Sequence, residues 1–204
     1  EASFAGDESY KTSSIDVFLS IDPADTRLTL GSIIGAYGQS KILTATLKRN
    51  TDGKPVSGRA INLSIDGNSI GTVTTDANGQ VATSYLFEEP LTAGTHSVTA
   101  TFTGDDGYNA STKTASLTAN QASTKVTQVS VSGKVGATVQ LTAKLKRTTD
   151  SKYLNARTIH FSVNGNEVGT SQTDSTGTAI YSYTIPSSLA KGKYTLKVSF
   201  NGDA

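Results

Sequence analysis

The feature that most constrains the fold is an internal repeat. Residue i aligns with residue i+98 without a gap along the whole chain of 204 residues. For example, Leu43-Thr44-Ala45 aligns with Leu141-Thr142-Ala143, and Leu47-Lys48-Arg49 aligns with Leu145-Lys146-Arg147. A fixed period of this kind is the signature of a modular array. Because 98 residues is the size of one small domain, the sequence predicts tandem domains.

The repeat also predicts where each domain begins and ends. The same offset carries Phe4 onto Phe102, and Phe102 onto Phe200. The chain is therefore divided into three parts: the terminal strand region of a preceding repeat (1–20), a complete repeat (21–119), and a repeat lacking its final strand (120–204).

Short runs of alternating apolar and polar residues predict an all-β fold. No segment has a sustained apolar stripe at helical spacing, and turn residues follow every run. In the complete repeat we predict strands near 25–31, 40–48, 59–66, 69–75, 80–87, 95–103 and 111–118. Seven such strands per repeat are typical of a β-sandwich. The sequence predicts tandem immunoglobulin-like Greek-key β-sandwiches of about seven strands each.

The alternation also predicts which side chains face inward. The inward sets of the first repeat are Leu43/Ala45/Leu47, Ile61/Leu63/Ile65 and His96/Val98/Ala100/Phe102. Their equivalents are Leu141/Ala143/Leu145, Ile159/Phe161/Val163 and Tyr194/Leu196/Val198/Phe200. Asp66-Gly67 and Asn164-Gly165 are pairs favoured in tight hairpin turns, so each repeat should have a hairpin there.

Three stretches resemble a known family. They are Gly53-Lys54-Pro55-Val56-Ser57-Gly58, Thr75-Asp76-Ala77-Asn78-Gly79, and the run from Gly94 to Asp105, which begins Gly-Thr-His and ends Gly-Asp. These motifs resemble the bacterial Ig-like repeat domains found in strings on large surface proteins and adhesins. The resemblance implies a β-sandwich, an extracellular or cell-surface location, and neighbouring repeats of the same protein as partners.

Composition argues against several functions. Lys and Arg total 18 and Asp and Glu total 17, so no bulk charge attracts nucleic acid. The chain has no cysteine, which excludes disulfides and thiolate metal sites within it. No apolar run approaches the length needed to span a bilayer, so no membrane insertion is expected in this segment.

The two histidines are the residues to test for catalysis. His96 becomes Tyr194 in the second repeat, and His160 is matched by Asn62. Neither has a Ser and an Asp at a spacing that would indicate a triad. We therefore predict a structural role for both histidines and no enzyme activity.

Acidic residues near the end of a repeat are candidate calcium ligands. Asp7 and Glu8 occupy the same position in the period as Asp105 and Asp106, and carboxylate oxygens suit Ca²⁺. A calcium site needs three or more converging ligands. The alternative is that these acids are solvated turn residues. No other cofactor is expected.

Two Asn-x-Ser triplets are candidate glycosylation sites. They begin at Asn62, on the outer face of a predicted strand, and at Asn109, in a predicted loop. Such triplets also arise by chance in a Ser-rich chain.

Short junctions between repeats favour a mechanical role. The junction 117–122 contains no Gly/Ser-rich or Pro-rich stretch, so the array should be semi-rigid. The leading hypothesis is a structural spacer or stalk segment of a large extracellular protein.

Two other functions remain open. One is an adhesive or carbohydrate-binding module, with a host protein, cell-surface protein or glycan as partner; candidate exposed aromatics are Tyr10, Tyr37, Tyr108 and Tyr153. The other is a subunit of a fibre or S-layer-type lattice. Residues 10–19 correspond to the strand that would follow Ala204, so one copy could complete the next head to tail.

Overall fold

The computed structural model describes residues 2–203, and this part of the chain contains β-strands and no helix. The strands of residues 2–120 are β1 Ala2–Phe4, β2 Ser13–Ile15, β3 Thr26–Leu30, β4 Ile33–Ala36, β5 Ser40–Arg49, β6 Ala60–Ile65, β7 Asn68–Thr74, β8 Gln80–Leu86, β9 Gly94–Phe102 and β10 Ser111–Asn120. The later strands are β11 Thr124–Gln128, β12 Thr138–Arg147, β13 Thr158–Val163, β14 Asn166–Gln172, β15 Thr178–Thr184 and β16 Leu196–Ser199.

The hairpins predicted from the turn residues are confirmed. Strands β6 and β7 pair antiparallel from Ala60↔Thr74 to Ile65↔Asn68, across a turn with φ of 48° at Asp66 and 81° at Gly67. Strands β13 and β14 pair in the same way, across the turn 164–165. Two consecutive positive φ angles match the right-handed twist of the flanking strands, which explains the preference for Asp-Gly and Asn-Gly.

The first repeat is an all-β sandwich. Its sheets have the strand orders β4-β10-β9-β6-β7 and β3-β5-β8. All seven predicted strands are present, and an eighth, β4, was not predicted. It pairs in parallel with β10, with Leu117 opposite Ile33. Alternation does not reveal β4 because it is short, with Ile33 and Ile34 adjacent, and only pairing with the distant strand β10 defines it.

The core of the first repeat follows the predicted inner faces. The exception is His96, which is half-buried. The buried apolar side chains of this repeat are Leu28, Ile33, Leu43, Ala45, Leu47, Val56, Ile61, Leu63, Ile65, Val81, Phe87, Val98, Ala100, Phe102, Leu117 and Ala119.

The second repeat has a smaller core. Its sheets have the orders β11-β12-β15 and β14-β13-β16, and its buried cluster is Leu141, Ala143, Leu145, Ile159, Phe161 and Ala179. Tyr194 is 37% exposed, and the inward side chains of β16 are only partly buried. The reason is that β16 lies at the edge of its sheet, whereas β9 lies between β6 and β10.

Residues 2–15 include a small hairpin, and residues 16–22 follow it outside any strand. Strands β1 and β2 pair antiparallel, with Phe4 opposite Ser13. The turn between them has the same 2.9 Å hydrogen bond, from Asp7 N–H to the Tyr10 carbonyl, as Asp105 N–H makes to Tyr108. Residues 16–22 belong to no strand, and all of them are exposed.

The chain divides into two compact units. The first comprises Glu1–Gly31, Thr44–Ala82 and Val98–Ala115, and the second comprises Ser32–Leu43, Thr83–Ser97 and Ser116–Ala204. The second unit draws on both repeats, so its limits differ from those of the repeats. The domain limits given by the period stay a sequence-based prediction. Within residues 2–203, no helix has the length and apolar character that a membrane crossing requires.

Candidate functional site

A charged cluster in the second compact unit is the most developed polar site. We define the charged cluster as Glu88, Arg147, Asp150 and Lys152. Arg147 lies at the end of β12 and its side chain is only 8% exposed. Its Nε donates to Asp150 Oδ1 at 3.0 Å, and its Nη2 lies 3.7 Å from Glu88 Oε1. Lys152 also pairs with Glu88.

The turn that carries Asp150 and Lys152 occurs in both repeats. Asp150 Oδ1 accepts two hydrogen bonds, one from Lys152 N–H at 3.1 Å and one from Arg147 Nε. In the first repeat, Asp52 Oδ1 likewise accepts from the next-but-one backbone N–H and lies 3.0 Å from Arg49 Nε. The recurring Arg-x-x-Asp pattern was therefore the sequence signal for this turn. The predictions above missed it.

Burial distinguishes the two copies of the turn. The Arg49 side chain is 32% exposed, against 8% for Arg147. Glu88, in the loop after β8, pairs with Arg147. Gly38 also lies against Arg147, so closely that a Cβ added at Gly38 would be 2.8 Å from Arg147 Nε. Gly38 also has φ of 83°, a conformation that favours glycine.

Each charge in the cluster is stabilised by its neighbours. The hydrogen bond from Arg147 holds the pKa of Asp150 down at about 2. The Lys152 ammonium lowers the pKa of Glu88, and Asp150 raises the pKa of Arg147. The charged forms of Glu88, Arg147 and Asp150 are therefore favoured by opposite charges nearby. Such a cluster holds chain segments together and supplies no free base for catalysis.

A second recurring ion pair explains the aspartate of the Gly-Asp motif. Asp105 Oδ2 lies 2.6 Å from Arg59 Nε, and Asp203 Oδ2 lies 2.9 Å from Arg157 Nε. The Arg59 guanidinium also lies over the Tyr108 ring, 5.3 Å from its centroid. Arg59 and Arg157 are 98 residues apart, as are Asp105 and Asp203. This recurrence was a sequence signal for the ion pair that the predictions above did not include.

The candidate calcium ligands are engaged in turns. Asp7 Oδ1 accepts hydrogen bonds from Ser9 N–H and Tyr10 N–H, and Asp105 Oδ1 accepts one from Gly107 N–H. Glu8 and Asp106 are exposed. In the part of the chain that the structure describes, no three acidic, His or Cys side chains gather into a potential metal site. Calcium binding at Asp7, Glu8, Asp105 and Asp106 stays a prediction, which melting with and without chelator tests.

Both candidate glycosylation sites are exposed, and both side chains are hydrogen-bonded. Asn62 Oδ1 accepts from Thr72 Oγ1 at 2.6 Å, which leaves its amide nitrogen outside that bond. Asn109 Nδ2 donates to Asp25 Oδ1 at 2.9 Å. Glycosylation at Asn62 and Asn109 stays a prediction that an intact mass would test.

The two histidines make separate hydrogen-bonding contacts. His96 Nε2 lies 2.9 Å from the Thr92 carbonyl, and His160 Nδ1 lies 3.1 Å from Glu167 Oε2. Thr92 lies in the loop before β9, the strand of His96. Glu167 lies on β14, which pairs with β13, the strand of His160. A structural role for both histidines stays a prediction.

The four candidate aromatics do not share one environment. Tyr10 is 70% exposed and Tyr153 is 46% exposed. Tyr37 is half-buried and donates its hydroxyl to the Leu91 carbonyl, while Tyr108 packs against Arg59. Tyr37 and Tyr153 both line an open hollow of about 970 Å³ that the charged cluster also borders.

Comparison with known proteins identifies the first repeat. Residues 28–120 match the family described as bacterial Ig-like domain (group 3). No curated protein sequence matches the chain. Several solved structures resemble parts of the chain at low sequence identity.

Three of these structures are from adhesins. A tetra-tandem repeat from the extending region of a large adhesion protein is 19% identical, with a TM-score of 0.49, covering 94% of this chain and 49% of that one. The Yersinia pseudotuberculosis adhesin InvE is 17% identical (TM-score 0.44; 86% and 58% covered). The Escherichia coli adhesin FdeC is 16% identical (TM-score 0.38; 87% and 60% covered). The chain spans less than two thirds of each of these proteins.

The β-sandwich, its turns and its closing Gly-Asp motif agree with the family match. The second repeat keeps the same turns at a constant offset of 98 residues, although the family match does not extend to it. Residues 28–120 of the chain are therefore similar to the bacterial Ig-like domain family, and this match spans almost the whole of the first repeat.

Proposed function

We propose that this chain is a spacer segment of a large extracellular protein of the bacterial cell surface. It is not an enzyme, and its partners are the neighbouring Ig-like repeats of the same protein. In this role it holds other parts of the protein at a distance from the cell.

One observation carries the proposal: the second compact unit includes segments of both repeats. Within that unit, Glu88 pairs with Arg147 and Lys152, and Glu89 pairs with Arg157. A spacer requires segments that resist local rearrangement, and partly buried ion-pair networks restrict it more than isolated surface pairs do.

The loops favour spacing over recognition. A binding site shared by the repeats would need the same side chains in both, yet Pro55-Val56-Ser57-Gly58 is replaced by Tyr153-Leu154-Asn155-Ala156. The residues that do recur lie in turns, cores and the Arg–Asp pairs. The repeats therefore keep what stabilises a module and vary what a ligand would contact.

The proposal is tested by displaying a small epitope on a bacterial surface through this 204-residue chain. We expect antibody access to the epitope to match that of an unrelated pair of β-sandwiches, and to exceed that of a flexible Gly/Ser linker of equal residue number. Equal access through the flexible linker would contradict a spacing role.

The adhesive alternative is tested with the isolated chain on a glycan array and on host cells. We expect no saturable binding. Saturable binding that is lost on changing Tyr153→Ala, and kept on changing the exposed Ile42→Ala, would replace the spacer proposal with an adhesive one.

A further inference from the structure

The hairpin turns of the two repeats differ in one residue that changes their chemistry. The first repeat turns at Asp66-Gly67, whereas the second turns at Asn164-Gly165. An Asn side-chain amide that precedes Gly is open to attack by the backbone nitrogen of that Gly, which has no side chain to obstruct the approach. The second repeat therefore has a reactive pair at the tip of the β13–β14 hairpin.

The sequence contains three Asn-Gly pairs, at 78–79, 164–165 and 201–202. The residue types alone do not distinguish them. The structure does, through the three groups that would react: the Gly nitrogen that attacks, the Asn carbonyl that is attacked, and the Asn amide nitrogen that leaves.

The attacking nitrogen is accessible at Gly165 and engaged at Gly79. Gly165 is exposed, and within residues 2–203 its N–H makes no hydrogen bond. A Cβ added there would meet no heavy atom within 4 Å, so a ring has room to form. Gly79 is buried, its N–H donates to the Asp76 carbonyl at 2.9 Å, and a Cβ added there would collide with the Leu47 carbonyl oxygen. Reaction at Gly79 therefore requires its turn to open first.

The attacked carbonyl is polarised at Asn164. Its Oδ1 accepts a 3.1 Å hydrogen bond from Thr195 N–H, and the Asn164 N–H donates to the Thr195 carbonyl at 2.9 Å. A backbone donor at this oxygen stabilises the negative charge that develops there during attack. In the part of the chain that the structure describes, Asn78 Oδ1 and Asn201 Oδ1 accept no such bond, and the amide nitrogen of Asn164 is not held by any partner.

We propose that Asn164-Gly165 is a self-modification site, at which Asn164 loses ammonia to give a cyclic imide that water opens to aspartate or isoaspartate. The Gly165 nitrogen bonds to Asn164 Cγ, the Cγ–Nδ2 bond breaks, and the Gly165 N–H proton passes through solvent to the leaving nitrogen. Water then opens the ring at one of its two carbonyls. The net reaction consumes one water and releases one ammonia, without oxidation or reduction.

The two products affect the hairpin differently. Aspartate is the residue that the first repeat has at this place, where φ is 48° at Asp66 and 49° at Asn164. It also keeps the oxygen that accepts from Thr195 N–H. Isoaspartate adds a methylene to the main chain within the turn, which disturbs the pairing of Val163 with Asn166. This product therefore weakens β14, which lies at the edge of its sheet. The proposal goes beyond the spacer role and does not depend on it.

Peptide mass spectrometry of the folded chain, incubated at neutral pH, measures conversion at each Asn-Gly pair. We expect Asn164 to convert at least about tenfold faster than Asn78, because only its carbonyl has a donor and only its Gly nitrogen is accessible. Short synthetic peptides that contain each pair are the control, and they should convert at similar rates. Equal conversion of Asn164 and Asn78 in the folded chain would overturn the proposal.

Variants at Thr195 test the donor. Thr195→Pro removes the N–H and should slow conversion of Asn164 about three- to tenfold, which is the value of one neutral hydrogen bond. Thr195→Val keeps the N–H and should react like the unchanged chain. An ester in place of the Tyr194–Thr195 amide removes the same N–H without a proline ring, and it should slow conversion as well. Unchanged or faster conversion in the ester chain would contradict the role of Thr195 and overturn the proposal.

Thermal melts test the consequence for the hairpin. Asn164→Asp should melt like the unchanged chain, and the purified isoaspartate form should melt at a lower temperature. Asn164→Gln, whose longer side chain disfavours the cyclic imide, should stay unconverted and keep its melting temperature during incubation. An isoaspartate form as stable as the unchanged chain would overturn the effect proposed for β14.

Discussion

At the scale of single residues, the repeats are stabilised by polar side chains in defined turns. Asp150 illustrates this, because one carboxylate accepts from Arg147 and from the backbone at Lys152. Arg59 and Arg157 each pair with the aspartate of a Gly-Asp motif. These acids therefore have a structural explanation that does not depend on a ligand.

The low pKa of Asp150 predicts a pH dependence of stability. Arg147 holds that pKa at about 2, below the ordinary 3.8, so the charged form is favoured in the folded state. The stabilisation is present above the ordinary pKa of 3.8 and is lost progressively as the pH falls from there through about 2. At neutral pH, Asp150→Asn should lower the free energy of unfolding by about 1–2 kcal/mol, after a discount for solvent screening.

Chemical unfolding at several pH values checks this prediction. The difference between Asp150→Asn and the unchanged chain should shrink steadily below about pH 4 and vanish only below pH 2, where Asp150 is protonated in both the folded and the unfolded state. The matched control is Asp52→Asn in the first repeat, which should have a smaller effect because Arg49 is far more exposed than Arg147. Equal losses in both repeats would show that burial of Arg147 contributes nothing.

A side chain added at Gly35 should disturb the packing of the core. A Cβ at this position would lie 2.6 Å from the ring of Phe87, which is fully buried. Gly35→Ala should therefore lower the free energy of unfolding by about 1–3 kcal/mol. Gly31→Ala is the control, since its Cβ would make an ordinary 3.6 Å contact with Thr44. Adding Phe87→Leu to Gly35→Ala should recover part of the loss in thermal melts.

At the scale of elements, strand order depends on turns and on distant pairing. The hairpins are local, because an Asp-Gly or Asn-Gly pair directs the chain back at once. Strand β4 is not local. It follows β3 closely in the chain, yet it joins the other sheet by pairing with β10.

A side chain added in the turn of the β6–β7 hairpin should strain the backbone without disturbing the packing around it. Gly67 has φ of 81° and no heavy atom within 4 Å of a Cβ added there, so only backbone strain opposes a side chain. Gly67→Val should cost about 1–3 kcal/mol of stability, because β-branched residues strongly disfavour this conformation. Ser69→Val, exposed on β7, should change the melting temperature little. A neutral Gly67→Val would contradict the turn conformation.

At the scale of the whole molecule, the buried apolar side chains are unevenly distributed. Among residues 2–203, the buried apolar side chains number sixteen in the first repeat and six in the second. Part of the difference lies at β16: Val98, Ala100 and Phe102 of β9 are buried in a sheet interior, whereas their equivalents on and beside β16, at a sheet edge, are only partly buried.

This distribution predicts uneven protection from hydrogen exchange. Amides in β16 should exchange at least about tenfold faster than their equivalents in β9, because an edge strand opens without unfolding its sheet. Strands β6 and β13 both lie in sheet interiors and should be protected to similar extents. Mass spectrometry of exchanged peptides gives both comparisons. Equal protection of β9 and β16 would show that the edge of β16 is not open.

Several features of this protein follow from the sequence alone. The 98-residue period predicts the modules, alternation predicts seven strands and most inward faces, and the Asp66-Gly67 and Asn164-Gly165 pairs predict the hairpins. These features are accessible because each depends on residues that are close together in the chain.

Other features were decided only by the tertiary structure. Strand β4 exists because of pairing with β10, more than 80 residues away. The burial of Arg147 depends on Glu88 and Gly38, which lie in separate loops. The partial exposure of β16 follows from its place at a sheet edge. In each case the physical cause is a contact between residues distant in sequence, and such contacts leave no local pattern from which they could be predicted.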